Sequence, residues 1–153
     1  MEDKKLLGDN ELQQVAGGTG NGSAGYVWPV PGFHVITAYF YDPSSSVTNG
    51  GIDISGAGIS GAAVVAAADG TVNPTYFCDG GWGGGYGTFC MIDHPEGKST
   101  LYAHLSSVRV SPGQVVHCGQ VIGFVGETGD VSGPCLHFET RKMGVKYDPM
   151  SEF

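Results

Sequence analysis

The chain has 153 residues, 41% of them hydrophobic, enough for one domain with a real core and too few for two comfortable ones. Its net charge is −8 with only seven Lys and Arg, which disfavours nucleic-acid binding through a basic surface. No apolar stretch reaches the roughly 18 residues that a membrane-spanning helix needs.

In chain order, residues 1–18 differ in character from the rest. Lys4 to Ala16 is polar with scattered aliphatics, lacks the long apolar core of a secretory signal peptide, and runs into Gly17-Gly18. One expectation is a short helix capped by Asp9 or Asn10 and stopped by the glycines. The other rests on Leu7, Leu12 and Val15 before Gly17-Gly18, a pattern that resembles the double-glycine leaders of bacteriocins and peptide pheromones. That resemblance implies an exporter whose own protease domain cuts after Gly18, releasing a chain that starts at Thr19. Residues 19–25, rich in Gly, Ser and Thr, suit a flexible linker that would keep the cleavage point exposed.

From Tyr26 to Phe153 the 27 glycines of the whole chain, the short apolar runs and the frequent turn signals favour an all-β domain. Strands are expected at Val35–Phe40, Ala62–Ala68, Thr88–Asp93, Thr100–His104 and Cys135–Thr140. No stretch after residue 20 joins helical periodicity to caps. Between Cys78 and Cys90 lies Asp79-Gly-Gly-Trp-Gly-Gly-Gly-Tyr-Gly87, a hairpin loop. Trp82 and Tyr86 could form a wall of a binding groove, or the loop could be a plain glycine turn.

Several segments carry the chemistry. They are Tyr26 to Gly32, Gly51-Ile-Asp-Ile54, Val65 to Val72, Leu101-Tyr-Ala-His-Leu105, Gly113 to Gly123 and Gly133-Pro-Cys-Leu-His-Phe-Glu139. In a strand, residues i and i+2 share a face, so positions 135 and 137 address one site while Leu136 packs behind it. In this order and spacing the segments resemble the lysostaphin/LytM-type zinc endopeptidases, which cut peptide cross-links in bacterial cell walls. The resemblance covers about residues 26 to 149. It implies a compact, twisted antiparallel β-sheet of the duplicated-hybrid-motif type, with a groove above the His137 strand.

The same resemblance places the zinc positions at Asn49, Asp53 and His137 and the catalytic positions at His104 and Cys135. Asp53, His104 and His137 match the family pattern; Asn49 and Cys135 stand where it has histidines. An amide oxygen is neutral and belongs with harder ions, so zinc is expected to be weak, altered or absent. Cys135 has three readings: a disulfide partner or small buried residue, a thiolate ligand joining Asp53 and His137 with His104, or a nucleophile paired with His104. Trp82, Tyr86 and Tyr102 are the candidate substrate contacts. His34, His94 and His117 are expected to pack or to face solvent, with His34 as a remote substitute ligand.

Four cysteines in an exported chain allow three disulfide connectivities. One of them joins Cys78 to Cys90, clamping the glycine loop, with Cys118 and Cys135 as the second pair, and the sequence does not choose among the three. The partners expected are peptidoglycan peptide and a double-glycine-processing exporter, the chain itself being a secreted or wall-associated monomer. Two functions follow: a degenerate peptidase domain that recognises wall peptide or a wall-remodelling partner, or an active wall hydrolase with a rebuilt zinc site.

Overall fold

The computed structural model describes residues 25–41 and 49–153. The expected leader, its Gly17-Gly18 cleavage point and all of the linker but Gly25 lie outside the described residues. Ten strands follow: β1 (Val35–Ala38), β2 (Ile52–Ser55), β3 (Ala63–Val65), β4 (Gly70–Cys78), β5 (Thr88–Asp93), β6 (Lys98–Val108), β7 (Val115–Val116), β8 (Val121–Val125), β9 (Leu136–Lys142) and β10 (Val145–Tyr147). Helical structure among the described residues is limited to 3-10 turns at Gly84–Tyr86, Pro95–Gly97 and Pro149–Glu152. The strands form one antiparallel sheet in the order β1-β2-β9-β6-β5-β4-β7, with β10 on β9 and the β3–β8 pair joined to β6. The all-β expectation therefore holds.

Period-2 burial explains why these segments are strands. In β2, Ile52 and Ile54 are fully buried, and in β9 so are Leu136 and Phe138. These four join Tyr102, Leu105, Ile92 and Ile122 in the main core. Each such aliphatic or aromatic side chain removed from water contributes about 1.5–3 kcal/mol. The alternate residues Asp53 and His137 are thereby turned to the other face, where Phe89, Met91, Leu101 and Ala103 form a smaller cluster bordered by Tyr86. Gly51 lets β2 lie tight against β9, because a Cβ there would strike the Phe138 carbonyl.

The strand expected at Thr88–Asp93 has those bounds in the structure. The others shift. The first stops at Ala38, and Tyr41 beyond it takes a positive φ of 42°. The second shrinks to Ala63–Val65, although Ala66 and Ala67 stay buried. β6 outgrows its expected five residues because it pairs with β5, β9 and β8 along its length.

Two expectations are corrected here. All four thiols are free. Cys78 stands opposite Phe89 and Cys90 opposite Phe77, so adjacent register positions send the two sulfurs to opposite faces of the sheet. Cys90 accordingly sits in the main core and Cys78 beside the smaller cluster, which rules out a bridge between them. Cys118 lies against the Ala67 carbonyl and Asp69, whereas Cys135 lies near Asp53 and Glu127, so the second pair has no shared neighbourhood. Tyr102 is the other correction. It is fully buried, its hydroxyl accepting the Ala67 N–H at 2.9 Å and lying 2.6 Å from Thr100 Oγ1, and it faces the main core rather than a ligand.

Candidate functional site

Sheet register assembles the site. Across β2, β9 and β6, Asp53 pairs with His137 and His137 with Ala103, one row on the face away from the main core. His104, next in β6, would point to the core if the alternation continued. Instead a bulge opens between the Thr88–Leu105 and Cys90–Tyr102 pairs, and His104 takes φ +64°. A non-glycine residue in this region is strained, and the strain turns the imidazole toward the site. The resulting groove of about 630 Å³ is lined by Asn49, Asp53, Tyr86, His104, Cys135 and His137 among others. Its size suits a peptide or small-molecule ligand.

Two loops close the ends. The glycine loop is held by Asp130 N–H donating to the Gly85 carbonyl at 2.9 Å and by Thr88 N–H donating to Thr128 Oγ1 at 3.0 Å. Tyr86 lines the groove. Trp82 stands 90% exposed on the same loop, outside the lining residues. Ser55 Oγ donates to the Pro134 carbonyl at 3.1 Å, and Cys135 bridges Gly126, so the approach to β9 is fixed from both sides.

An ion network occupies the centre. His137 Nδ1 lies 2.7 Å from Asp53 Oδ1, and its Nε2 lies 2.9 Å from Glu139 Oε2. Carboxylates only accept, so both ring nitrogens carry hydrogen and the ring is an imidazolium. Burial alone would lower its pKa, but the bonds to Asp53 and Glu139 prevail and raise it to about 9. Glu139, 1% exposed, also accepts from Tyr86 Oη at 2.6 Å and from Arg141 at 2.7 and 3.1 Å. Burial pushes its pKa up, yet the donors from His137, Tyr86 and Arg141 bring it down to about 2.

The remaining site groups behave differently. His104 Nδ1 lies 2.8 Å from the Thr128 carbonyl, which only accepts, so Nδ1 bears the hydrogen. Burial lowers its pKa despite that bond, leaving a neutral ring with Nε2 as an acceptor. Burial and the charges of Asp53 and Glu127 raise the Cys135 thiol to about 11. A thiol protonated at neutral pH is a poor nucleophile, which weighs against a Cys135–His104 protease pair. Among the other histidines, His34 stacks on Trp28 at 5.3 Å and His94 is held by the Asp69 carbonyl and Thr100, so neither reaches the groove.

The zinc implied by the sequence resemblance can be tested against these donors. Asp53 and His137, two of the implied ligands, lie against each other at 2.7 Å, and Glu139 holds the other ring nitrogen of His137 as a carboxylate behind a zinc-bound histidine does. Asn49 offers a neutral amide whose nitrogen is buried without a partner. Among the described residues, no group of three His, Cys, Asp or Glu side chains is arranged to hold an ion. Asp53 and His137 match zinc chemistry and Asn49 does not, so the donors present are one ligand short of the set that the resemblance implies. Glu139 and Arg141 are the participants that sequence reasoning passed over. The period-2 spacing of 137, 139 and 141 in one strand was the signal that could have found them.

Residues 47–149 match the model of peptidase family M23. The DD-carboxypeptidase/endopeptidase Mpg of Neisseria meningitidis serogroup B is 46% identical over 91 residues, 60% of this chain and 20% of that protein. The murein hydrolase activator EnvC of Escherichia coli K12 is 32% identical over 146 residues, 95% of this chain and 33% of that protein. The chain thus spans between a fifth and a third of these curated relatives. Among solved structures, a zinc-containing peptidase from Vibrio cholerae superposes with a TM-score of 0.69 at 30% identity, covering 83% of this chain and 39% of that one.

Proposed function

Because the chain belongs to peptidase family M23, we propose that it is an exported domain that holds the peptide of bacterial peptidoglycan in its groove with little or no cleavage. The observation that carries this reading is that Asn49, a neutral amide, lines the groove with Asp53 and His137 at the position where the family pattern has a zinc-binding imidazole. Cys135 reinforces it, since a thiol stands where the family pattern has a catalytic histidine. An extended peptide needs only main-chain hydrogen bonds and a few pockets, so recognition survives the loss of catalysis. The similarity to a protein named as a murein hydrolase activator supports action at the cell wall through a partner or through binding. Export through a transporter that cuts after Gly18, placing the domain outside the cell or on its wall, is part of the same proposal. Trp82 and Tyr86 would flank the bound peptide.

The second reading, an active peptidoglycan endopeptidase with a rebuilt zinc site, has one favourable observation: Asp53, His104, Cys135 and His137 line a single groove. Zinc content per chain after dialysis against metal-free buffer separates the two. Near zero, with intact walls after incubation, is the expected result. Near one zinc per chain with released wall peptide would overturn the binding proposal in favour of hydrolysis.

A further inference from the structure

Asn49 carries a buried side-chain nitrogen that no group accepts from. Folded proteins leave few buried donors unpaired, because each forfeits its bonds to water with nothing in return. The only other buried side-chain atom without a partner among the described residues is Tyr26 Oη, which is not part of the groove. Asn49 does line the groove, and its backbone is held there by Tyr41 N–H donating to the Asn49 carbonyl at 3.0 Å.

We propose that Asn49 is a ligand-binding residue whose side-chain N–H donates to a backbone carbonyl oxygen of the peptide in the groove. This deepens the peptide-binding reading and rests on it. A metal ion cannot satisfy an N–H donor; a peptide carbonyl can. His104 lines the same groove, and its Nε2 is an acceptor because Nδ1 donates to Thr128. An extended peptide offers N–H and C=O groups along its length, so one donor and one acceptor in the same groove suit main chain better than a cation or a fully anionic ligand.

The test uses the full chain, with EDTA present throughout, and the soluble disaccharide-tetrapeptide released from purified peptidoglycan by a muramidase as the probe. In ¹⁵N spectra the Asn49 side-chain amide signal, identified by its absence in Asn49→Asp, moves on addition of the probe. Asn49→Asp places an acceptor where the donor was, and by calorimetry it binds the probe at least about tenfold more weakly. Asn49→Ala weakens binding in the same sense, and both variants keep the wild-type melting temperature to within a few degrees. Should a variant fail to fold, the amide signal of the wild-type chain still decides. Binding of the probe with that signal unmoved and the affinity of folded Asn49→Asp unchanged overturns the role of Asn49 and leaves the peptide-binding reading standing. No binding by the wild-type chain overturns both.

Discussion

Replacing Glu139 with Gln keeps the shape of the side chain and removes the charge that gathers the site. Glu139 accepts from His137, Tyr86 and twice from Arg141, and Lys146 Nζ lies 3.6 Å away. With the side chain 1% exposed, water cannot take over these bonds. Removing one partner of a buried ion pair costs about 3–5 kcal/mol because the other charges stay buried. For a domain of this size that corresponds to a fall in Tm of roughly 10–20 °C. The pH dependence has a definite sign. The pKa of His137 is raised from 6.5 to about 9, so its contribution is complete below 6.5 and is lost as pH rises through 9. The pKa of Glu139 is lowered from 4.5 to about 2, so its contribution is complete above 4.5 and is lost as pH falls through 2. The stability gap between wild type and Glu139→Gln is therefore widest from pH 4.5 to 6.5 and narrows on both sides. Urea unfolding followed by circular dichroism, from pH 3 to 10, measures it. A gap under about 1 kcal/mol at pH 6, or one that stays constant from pH 5 to 10, would refute an imidazolium held between two carboxylates.

Other consequences are open to direct measurement. The double substitution Asn49→His and Cys135→His supplies two imidazoles beside Asp53; zinc content should rise from near zero to near one per chain, with wall cleavage appearing or rising strongly. Absence of both in a folded variant would mean that the groove differs from a hydrolase by more than these two side chains. Unfolded without reductant, the chain should take up four alkyl groups from iodoacetamide, whereas in the native state Cys90, fully buried and with its pKa raised to about 12 by burial and the Asp79 charge, should resist. Tyr102→Phe deletes a buried acceptor of the Ala67 N–H and should lower stability by about 1–3 kcal/mol while leaving probe binding unchanged. Trp82→Ala, at a side chain 90% exposed, should alter stability by less than about 0.5 kcal/mol, so any loss of probe binding would report contact with ligand.

What could be read before folding was whatever depends on neighbours in sequence. Alternation in Ile52-Asp53-Ile54 and Leu136-His137-Phe138 sorts core from site, and the short runs between glycine turns announce an all-β domain. Asp53, His104, Cys135 and His137 were legible together because each sits in a segment with its own signature, and the structure does bring them to one groove. Tyr102 was misread because a motif does not say which face a residue takes; the face is set by pairing Tyr102 with Cys90 and Phe138.

The sequence by itself determined the all-β class, the family and the two substitutions at 49 and 135, because these are local facts of residue type and spacing. Tertiary structure alone decided the rest. Whether Cys78 meets Cys90 depends on a cross-strand register that no spacing encodes, and it places them on opposite faces. The charge on His137 depends on carboxylates 84 residues before it and two after it arriving at its two nitrogens. The bulge that frees His104 and the buried amide of Asn49 likewise arise only when distant strands pack, since desolvation and hydrogen-bond partnership are properties of the assembled sheet.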